Sequence, residues 1–255
     1  MTLFTLSGVT CDVPGRRLIE TLDLTIRPGR VTALIGRNGS GKSTLLKLIS
    51  GQNRPSAGRI AYAGRDLSDW SPRELARDLA YLPQVTPPAE GMQVGELVAL
   101  GRFPWRGALG RFRPEDHAAV DAAIARCHIG HLRDRLVDTL SGGERQRSWI
   151  AMMLAQGART LLLDEPISAL DVAHQVEVLD LVHSMCRDEG LSAIVVLHDL
   201  NMAARYCDHV VALGGGRLLL DGPIGALMTP EALLRIYGLP MHVAAHEGHP
   251  FALPR

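Results

Sequence analysis

The sequence predicts an α/β fold in which short buried strands of a parallel sheet deliver polar groups at their carboxyl ends. Three stretches predict it. Val31–Ile35 is an apolar run that enters Gly36-Arg37-Asn38-Gly39-Ser40-Gly41-Lys42-Ser43-Thr44 and then a helical pattern, Leu45–Ile49, closed by Gly51. Leu161-Leu162-Leu163 runs into Asp164-Glu165-Pro166, and Ala193–Leu197 ends at His198. Strands of this length separated by helical segments read as βα units, and open α/β sheets gather functional groups where such strands end.

The glycine string has the pattern G-x-x-x-x-G-K-[ST] in the setting that binds phosphate, between a strand and a helix. Its glycines let backbone N–H groups turn inward around an anion, and the helix N-terminus adds its positive dipole end. Lys42 is placed to reach the β- and γ-phosphate oxygens, and the Ser43 hydroxyl to sit on Mg²⁺. Lys42 and Lys47 are the only two lysines in a chain that otherwise uses arginine. Lysine at position 42 is therefore no filler.

Ahead of the loop, β-like runs at Leu3–Val9 and Leu22–Ile26 are broken by Pro14-Gly15 and Pro28-Gly29; Arg59–Ala63 resembles another strand. These form an antiparallel β flank. Ser71-Pro72-Arg73-Glu74 starts a helix: Ser71 caps it, Pro72 takes the first position and Glu74 closes a capping box. The strand Leu79–Leu82 ends in Pro83-Gln84, where Gln84 could reach Mg²⁺ or the attacking water, or simply be solvated surface. From Val85 to Thr139 prolines punctuate helical patterns at Val94–Leu100 and Glu115–Cys127, without a continuous β run. That is a mostly helical insertion. Within it, Gly101–Arg106 and Leu109–Phe112 gather arginines and aromatics in a loop-like setting, a composition of protein interfaces or of local core.

Ser141-Gly142-Gly143-Glu144 opens the next helix, to about Gln156, with a capping box of its own. The box does not explain two glycines in a first turn, each costing ~1 kcal/mol against alanine; bare backbone there suits a closely approaching anion. Asp164 would hold Mg²⁺ through its water shell and Glu165 would orient or deprotonate the attacking water, although two acids after a strand also make a surface turn. Ser168–Asp171 leads into a helix through about Arg187. His198 shares its sheet edge with Lys42, Asp164 and Gln84, which makes it a γ-phosphate contact rather than a capped surface residue. Val210–Leu213 and Leu218–Leu220 form a hairpin, then come two short helical stretches, the second begun by Thr229-Pro230. The tail carries His242, His246 and His249, able to bind metal but without a visible scaffold.

The 255 residues, 46% of them hydrophobic, suit one large globular domain or two small ones. Basic and acidic residues balance at 27 each, so no net field points to nucleic acid or to an anionic membrane. Cys11, Cys127, Cys186 and Cys207 show no C-x-x-C pairing, which fits a reducing compartment. Neither a signal peptide nor an apolar run of about 18 residues is present, so the expectation is a protein peripheral to any membrane it serves.

Taken together, these segments resemble the ATP-binding subunits of ABC transporters over nearly the whole chain. Gly36–Thr44 is similar to their Walker A, Gln84 to the Q-loop, Ser141–Gln146 to the signature motif, Leu161–Glu165 to Walker B with its glutamate, Ser168–Asp171 to the D-loop and His198 to the H-switch. The signature string is the decisive one. The resemblance implies a P-loop NTPase cassette with a RecA-like core and β flank (1–84 and 140–240), a helical subdomain (85–139) and a C-terminal tail (241–255). It implies ATP and Mg²⁺, and a head-to-tail homodimer in which each ATP meets Lys42 of one chain and Ser141, Gly142, Gly143 and Asp171 of the other. The sequence agrees in supplying two anion-binding helix N-termini where one pocket needs one.

Glu96–Trp105 with Gly107–Phe112, and Leu197–Asp208, are most similar to the ferric-siderophore uptake group, particularly the ferric hydroxamate import ATPases. That implies a transmembrane permease, an external siderophore-binding protein, and a place on the cytoplasmic face of the membrane. A haem or cobalamin importer shares parts of these stretches and is the alternative. A soluble ABC regulator would carry two cassettes or a coiled-coil insertion, and a small-molecule kinase leaves Ser141–Gln146 unexplained. Two departures stand out. Where the family stacks adenine on an aromatic, the chain has Cys11, so the base contact falls to Val13, Arg16 or elsewhere; and Ile167 replaces a usual threonine.

Overall fold

The computed structural model describes residues 2–107, 110–246 and 248–255, so Leu109 of the second arginine–aromatic stretch lies outside the described residues. In chain order the elements are β1 (Phe4–Val13), β2 (Arg16–Ile26), β3 (Val31–Ile35), α1 (Lys42–Ile49), β4 (Ala57–Tyr62), β5 (Arg65–Asp66), α2 (Pro72–Asp78), β6 (Leu79–Leu82), α3 (Val94–Ala99), α4 (Phe103–Arg106) and α5 (Pro114–Arg126). There follow α6 (Gly142–Ala155), β7 (Thr160–Leu163), α7 (Val172–Glu189), β8 (Ser192–Val196), α8 (Leu200–Tyr206), β9 (His209–Gly214), β10 (Arg217–Pro223), α9 (Pro230–Tyr237), β11 (Met241–His246) and β12 (His249–Pro254). The chain divides into two compact units, 1–70 with 183–255, and 71–182.

In the first unit the flank is an antiparallel sheet of order β2-β1-β4-β5. Leu22, Leu24 and Ile26 alternate along β2 as a one-faced sheet requires, and a register shift against β1 keeps Ile19 buried as well. Strand β3 is buried at every position and pairs in parallel with β8 on one side and β9 on the other; β10 returns antiparallel to β9. Parallel strands covered on both faces read as continuous apolar runs, which is why Val31–Ile35 and Ser192–Val196 are so apolar. Flank and sheet meet where Glu20 N donates to Gly216 O (2.9 Å) and Gly216 N donates to Ser40 O (3.1 Å), next to the glycine loop. The tail forms the β11–β12 hairpin, tied to α8 through Asn201, whose Oδ1 accepts from Ala252 N at 2.8 Å. A scaffold therefore exists where the sequence showed none.

In the second unit α2 begins with the expected capping box on Ser71 and Glu74 and with Pro72 at its start. β6 and β7 pair in parallel, Leu79 to Leu82 against Thr160 to Leu163. Helices α3, α5 and α6 bury Val94, Leu97 and Val98 with Val120, Ala123 and Ile124 and with Ile150 and Met153. Gly101–Arg106, read as loop-like, is a 3₁₀ turn running into α4, because Pro104 falls in a first turn where no N–H is needed. Arg77 and Arg102 flank the Trp105 ring at 4.7 and 5.0 Å from its centre, and Trp105 Nε1 donates to Gln156 O.

Candidate nucleotide site

The phosphate loop is built by the first unit. Gly36, Gly39 and Gly41 have φ of +143°, +76° and +104°, and a Cβ on Gly36 would collide with Leu213 O and stand 2.7 Å from Ser40 Oγ. Only glycine allows that turn. Asn38 and Gly39 form its exposed rim, and Ser43 and Thr44 lie half-buried in the first turn of α1. Lys42 is buried, its Nζ donating to Gly36 O (2.8 Å) and Arg37 O (3.2 Å) across the loop. Ser40 Oγ is buried without a hydrogen-bond partner. An unpartnered Ser40 hydroxyl, an ammonium held inside the loop and an uncapped helix N-terminus at Gly41 fit an anion such as a phosphate group.

Arg16 opens β2 opposite Val13 and is exposed; its Nη2 lies 3.9 Å from where a Cβ on Gly39 would stand. Cys11 is buried, and burial first, then the Asp12 charge, pushes its thiol up. It offers no open face to a base. His198 follows β8, whose Val196 is paired with Leu34 of β3, so it leaves the sheet at the edge where the phosphate loop begins.

The second unit carries the acidic groups. Asp164 is almost fully buried at the end of β7, where its N–H extends the ladder to Leu82 O (2.9 Å). Tyr81 Oη donates to Asp164 Oδ2 at 3.4 Å; burial, then the carboxylate charge, pushes the Tyr81 phenol up to about 12. Glu165 is half-buried at φ +51°, a strained conformation for a side chain with a Cβ, and Gln84 Nε2 donates to its Oε2 at 2.6 Å. The structure thus brings Gln84 and Glu165 together. Sequence reasoning missed Tyr81, whose position in an apolar run gives no sign of its partner.

At the start of α6, Ser141 Oγ accepts from Glu144 N (3.3 Å) and Ser141 N donates to Glu144 Oε2 (2.9 Å). That backbone bond holds the Glu144 carboxyl below its usual range. Gly142 is exposed, with Leu170 beside it, whereas Gly143 is buried under the imidazole of His174. Packing alone therefore demands glycine at 143, a reason the sequence did not reveal. Asp171 is exposed; its Oδ1 accepts from His174 N at 3.0 Å and lies 2.8 Å from His174 Nδ1, and these bonds, the backbone one foremost, lower its carboxyl. An aspartate preceding a helix with histidine three residues on was the available signal. Among the described residues there is no cluster of three His, Cys, Asp or Glu that could hold a metal.

A glycine loop on a parallel sheet with its lysine within it, and, in the other unit, an acid buried at the end of an apolar strand, define a nucleotide-binding P-loop protein of the α/β class. The chain belongs to the ABC transporter family: that family's profile matches residues 19–168. It is 45% identical over 246 residues to the hemin import ATP-binding protein HmuV of Pseudomonas entomophila, spanning 93% of this chain and 94% of that protein. It is 41% identical to the achromobactin transport ATP-binding protein CbrD of Dickeya dadantii (94% and 89% covered). To the iron(3+)-hydroxamate import ATP-binding protein FhuC of Bacillus subtilis it is 40% identical (87% and 82%). Among solved structures, CbiO1 of Clostridium perfringens, part of the ABC transporter complex cbiONQ, superposes with a TM-score of 0.78 at 28% identity, covering 92% and 93%.

Proposed function

We propose that this chain is the ATP-hydrolysing subunit of an ABC importer of iron(III)–siderophore complexes, of hydroxamate type. It works as a homodimer against a transmembrane permease on the cytoplasmic face of the membrane, and an external binding protein delivers the chelate. The observation that carries the catalytic part is Glu165, held in a strained backbone conformation with Gln84 bonded to it.

Lys42 donates to anionic phosphate oxygens, a charge-assisted bond stronger than one to a loop carbonyl. Ser40 and the loop N–H groups take the remaining oxygens, and His198 contacts the γ-phosphate. Glu165 orients or deprotonates the attacking water, and Gln84 steadies its carboxylate. Ser43, Asp164 and the Gln84 carbonyl are oxygen donors, the kind Mg²⁺ takes, and would hold it. Bound there, Mg²⁺ neutralises charge on the phosphate oxygens. Arg16, beside Gly39 on the exposed rim, supplies the contact to the base. Ser141, Gly142, Gly143 and Asp171 meet the ATP of a second copy, so that ATP closes the pair and hydrolysis opens it. Driving such a two-state opening nearly to completion takes ~5.5 kcal/mol of differential binding. The permease meets the helical subdomain 85–139, where Leu100, Phe103 and Phe112 are exposed. Among the described residues no helix is long and apolar enough to cross a membrane, so the path for the chelate belongs to that permease.

Haem is the second reading, favoured by the 45% identity to a hemin importer over nearly the full length of both chains. The test is growth of a deletion strain on single iron sources, complemented by the wild type and by Glu165→Gln. Loss of growth on hydroxamate siderophores alone, restored only by the wild type, supports the proposal; loss on haem alone selects the second reading. Normal growth on every source with Glu165→Gln overturns both.

A further inference from the structure

Within the second unit, the start of α6 is fastened to the segment that enters α7 by a short series of contacts. Leu170 Cδ2 lies 3.1 Å from where a Cβ on Gly142 would stand. The His174 Cγ and Cβ lie 2.5 and 2.9 Å from the corresponding point on Gly143. Arg147 is ion-paired with Glu177, one turn beyond. Gln175 Nε2 donates to Ile167 O (3.2 Å) and Leu170 O (3.0 Å), which fixes the turn itself.

His174 is the member of this series that touches both functional stretches. Its backbone N–H and its Nδ1 both engage Asp171 Oδ1, so one carboxylate oxygen fixes the residue at two points. The ring then cannot swing off Gly143 without giving up the Nδ1 bond. It also fills the space that any side chain at 143 would occupy. Ring and glycine are complementary: the first turn of α6 stays bare, and the Asp171 carboxylate keeps one direction.

We propose that His174 is a positioning residue for the ATP-bridged dimer, joining the Ser141–Gly143 turn and Asp171 into one rigid piece that meets a second copy's nucleotide. This rests on the reading that the second copy's ATP binds there. Removing the ring or its bond to Asp171 loosens this joint at the glycine turn, while the phosphate loop of the same chain keeps its own contacts.

The test uses the full-length chain carrying Glu165→Gln, with ATP-dependent dimerisation followed by sedimentation across ATP concentrations. His174→Ala removes ring and bond; His174→Asn keeps a donor near the place of Nδ1; His174→Phe keeps a ring over Gly143 without the donor. For His174→Ala, the ATP concentration at half-maximal dimerisation rises about tenfold, the factor carried by one hydrogen bond of ordinary net strength. Binding of a fluorescent ATP analogue to the monomer stays as in the parent. His174→Asn and His174→Phe each recover part of the loss. A purely structural role would lower the thermal midpoint and monomer binding as well, and that result overturns the proposal. So does unchanged dimerisation in His174→Ala while the parent dimerises normally. If the parent itself stays monomeric in ATP, the bridging reading fails, and the inference with it.

Discussion

At Glu165 the backbone bears a cost, because a left-handed φ on a side chain of that size persists only where the surroundings over-determine it. Asp164 on one side is locked into the β7 ladder, and Gln84 Nε2 holds the Glu165 carboxylate itself. Glu165→Gln keeps an oxygen acceptor for Gln84, so the geometry survives while the carboxylate proposed as the base is lost. Turnover falls by about 10²–10⁴, the range that a positioned general base supplies, and ATP still binds; steady-state hydrolysis and equilibrium nucleotide binding measure the two separately. Gly216 is a structural counterpart. At φ +76° a Cβ there would stand 2.6 Å from Leu18 O, next to the bonds joining flank, sheet and phosphate loop. Gly216→Ala costs about 1–3 kcal/mol in strain and weakens ATP binding with it, as thermal unfolding and a nucleotide titration read out. The places of the glycine loop, Gln84, Asp164, Glu165 and His198 just beyond strand ends were legible in the sequence, because short apolar runs stop where polar residues begin. Tyr81 and His174 were not, since an aromatic in an apolar strand or a histidine in a first helical turn takes its role from what packs on it. Gly143 was half legible: the sequence pointed to bare backbone, and the ring that requires it appears only in three dimensions.

Elements with strong local signals came out where the sequence put them. The Ser71 capping box and the strand Leu79–Leu82 are examples. Helix α8 went unread because it is seven residues long and its signal is Asp199, whose Oδ1 accepts from Asn201 N (2.7 Å) and Met202 N (3.0 Å). The β11–β12 hairpin went unread because its hold on α8 depends on Asn201, far away in sequence. Among the helices of the second unit, the opening of α5 makes a prediction of its own. Asp116 is fully buried, bonded to Arg102 Nε (2.9 Å), to Arg106 and to Arg113 N (2.9 Å). Burial alone would raise its carboxyl, but the bonds from Arg106, Arg113 N and Arg102 outweigh that and hold it well below the usual range. A carboxyl depressed in the fold stabilises it fully above the unfolded value of about 4 and stops doing so as pH falls below that. Asp116→Asn therefore lowers the thermal midpoint at pH 7, where it leaves buried guanidinium charge short of its partner. Its midpoint also declines less steeply than the wild type's between about pH 4 and pH 2. Thermal unfolding followed by circular dichroism across that range measures both effects.

For the molecule as a whole, the four cysteines report on opening. All are buried and free, Cys127 in the second unit and Cys11, Cys186 and Cys207 in the first. Burial pushes the thiols of Cys127 and Cys186 up to about 12, and those of Cys11 and Cys207 upward too. The thiolate is the nucleophile, so at pH 8 a thiol reagent reaches these residues chiefly through unfolded molecules. The chain leaves the first unit at residue 70 and returns at 183, and α7 runs across the second of these boundaries. Covalent continuity through one helix favours unfolding of both units in a single step. ATP that binds only the folded chain, at a hundred times its dissociation constant, adds about 2.7 kcal/mol of stability. Labelling of Cys127 and of Cys207 then slows by the same factor, about a hundredfold, as mass spectrometry of timed alkylation would read. Equal slowing at the two sites means that one cooperative transition guards the nucleotide-binding loop and the helical region together. Protection of Cys207 with Cys127 unaffected would mean that the helical region opens on its own, and that nucleotide in the phosphate loop does not by itself hold it closed.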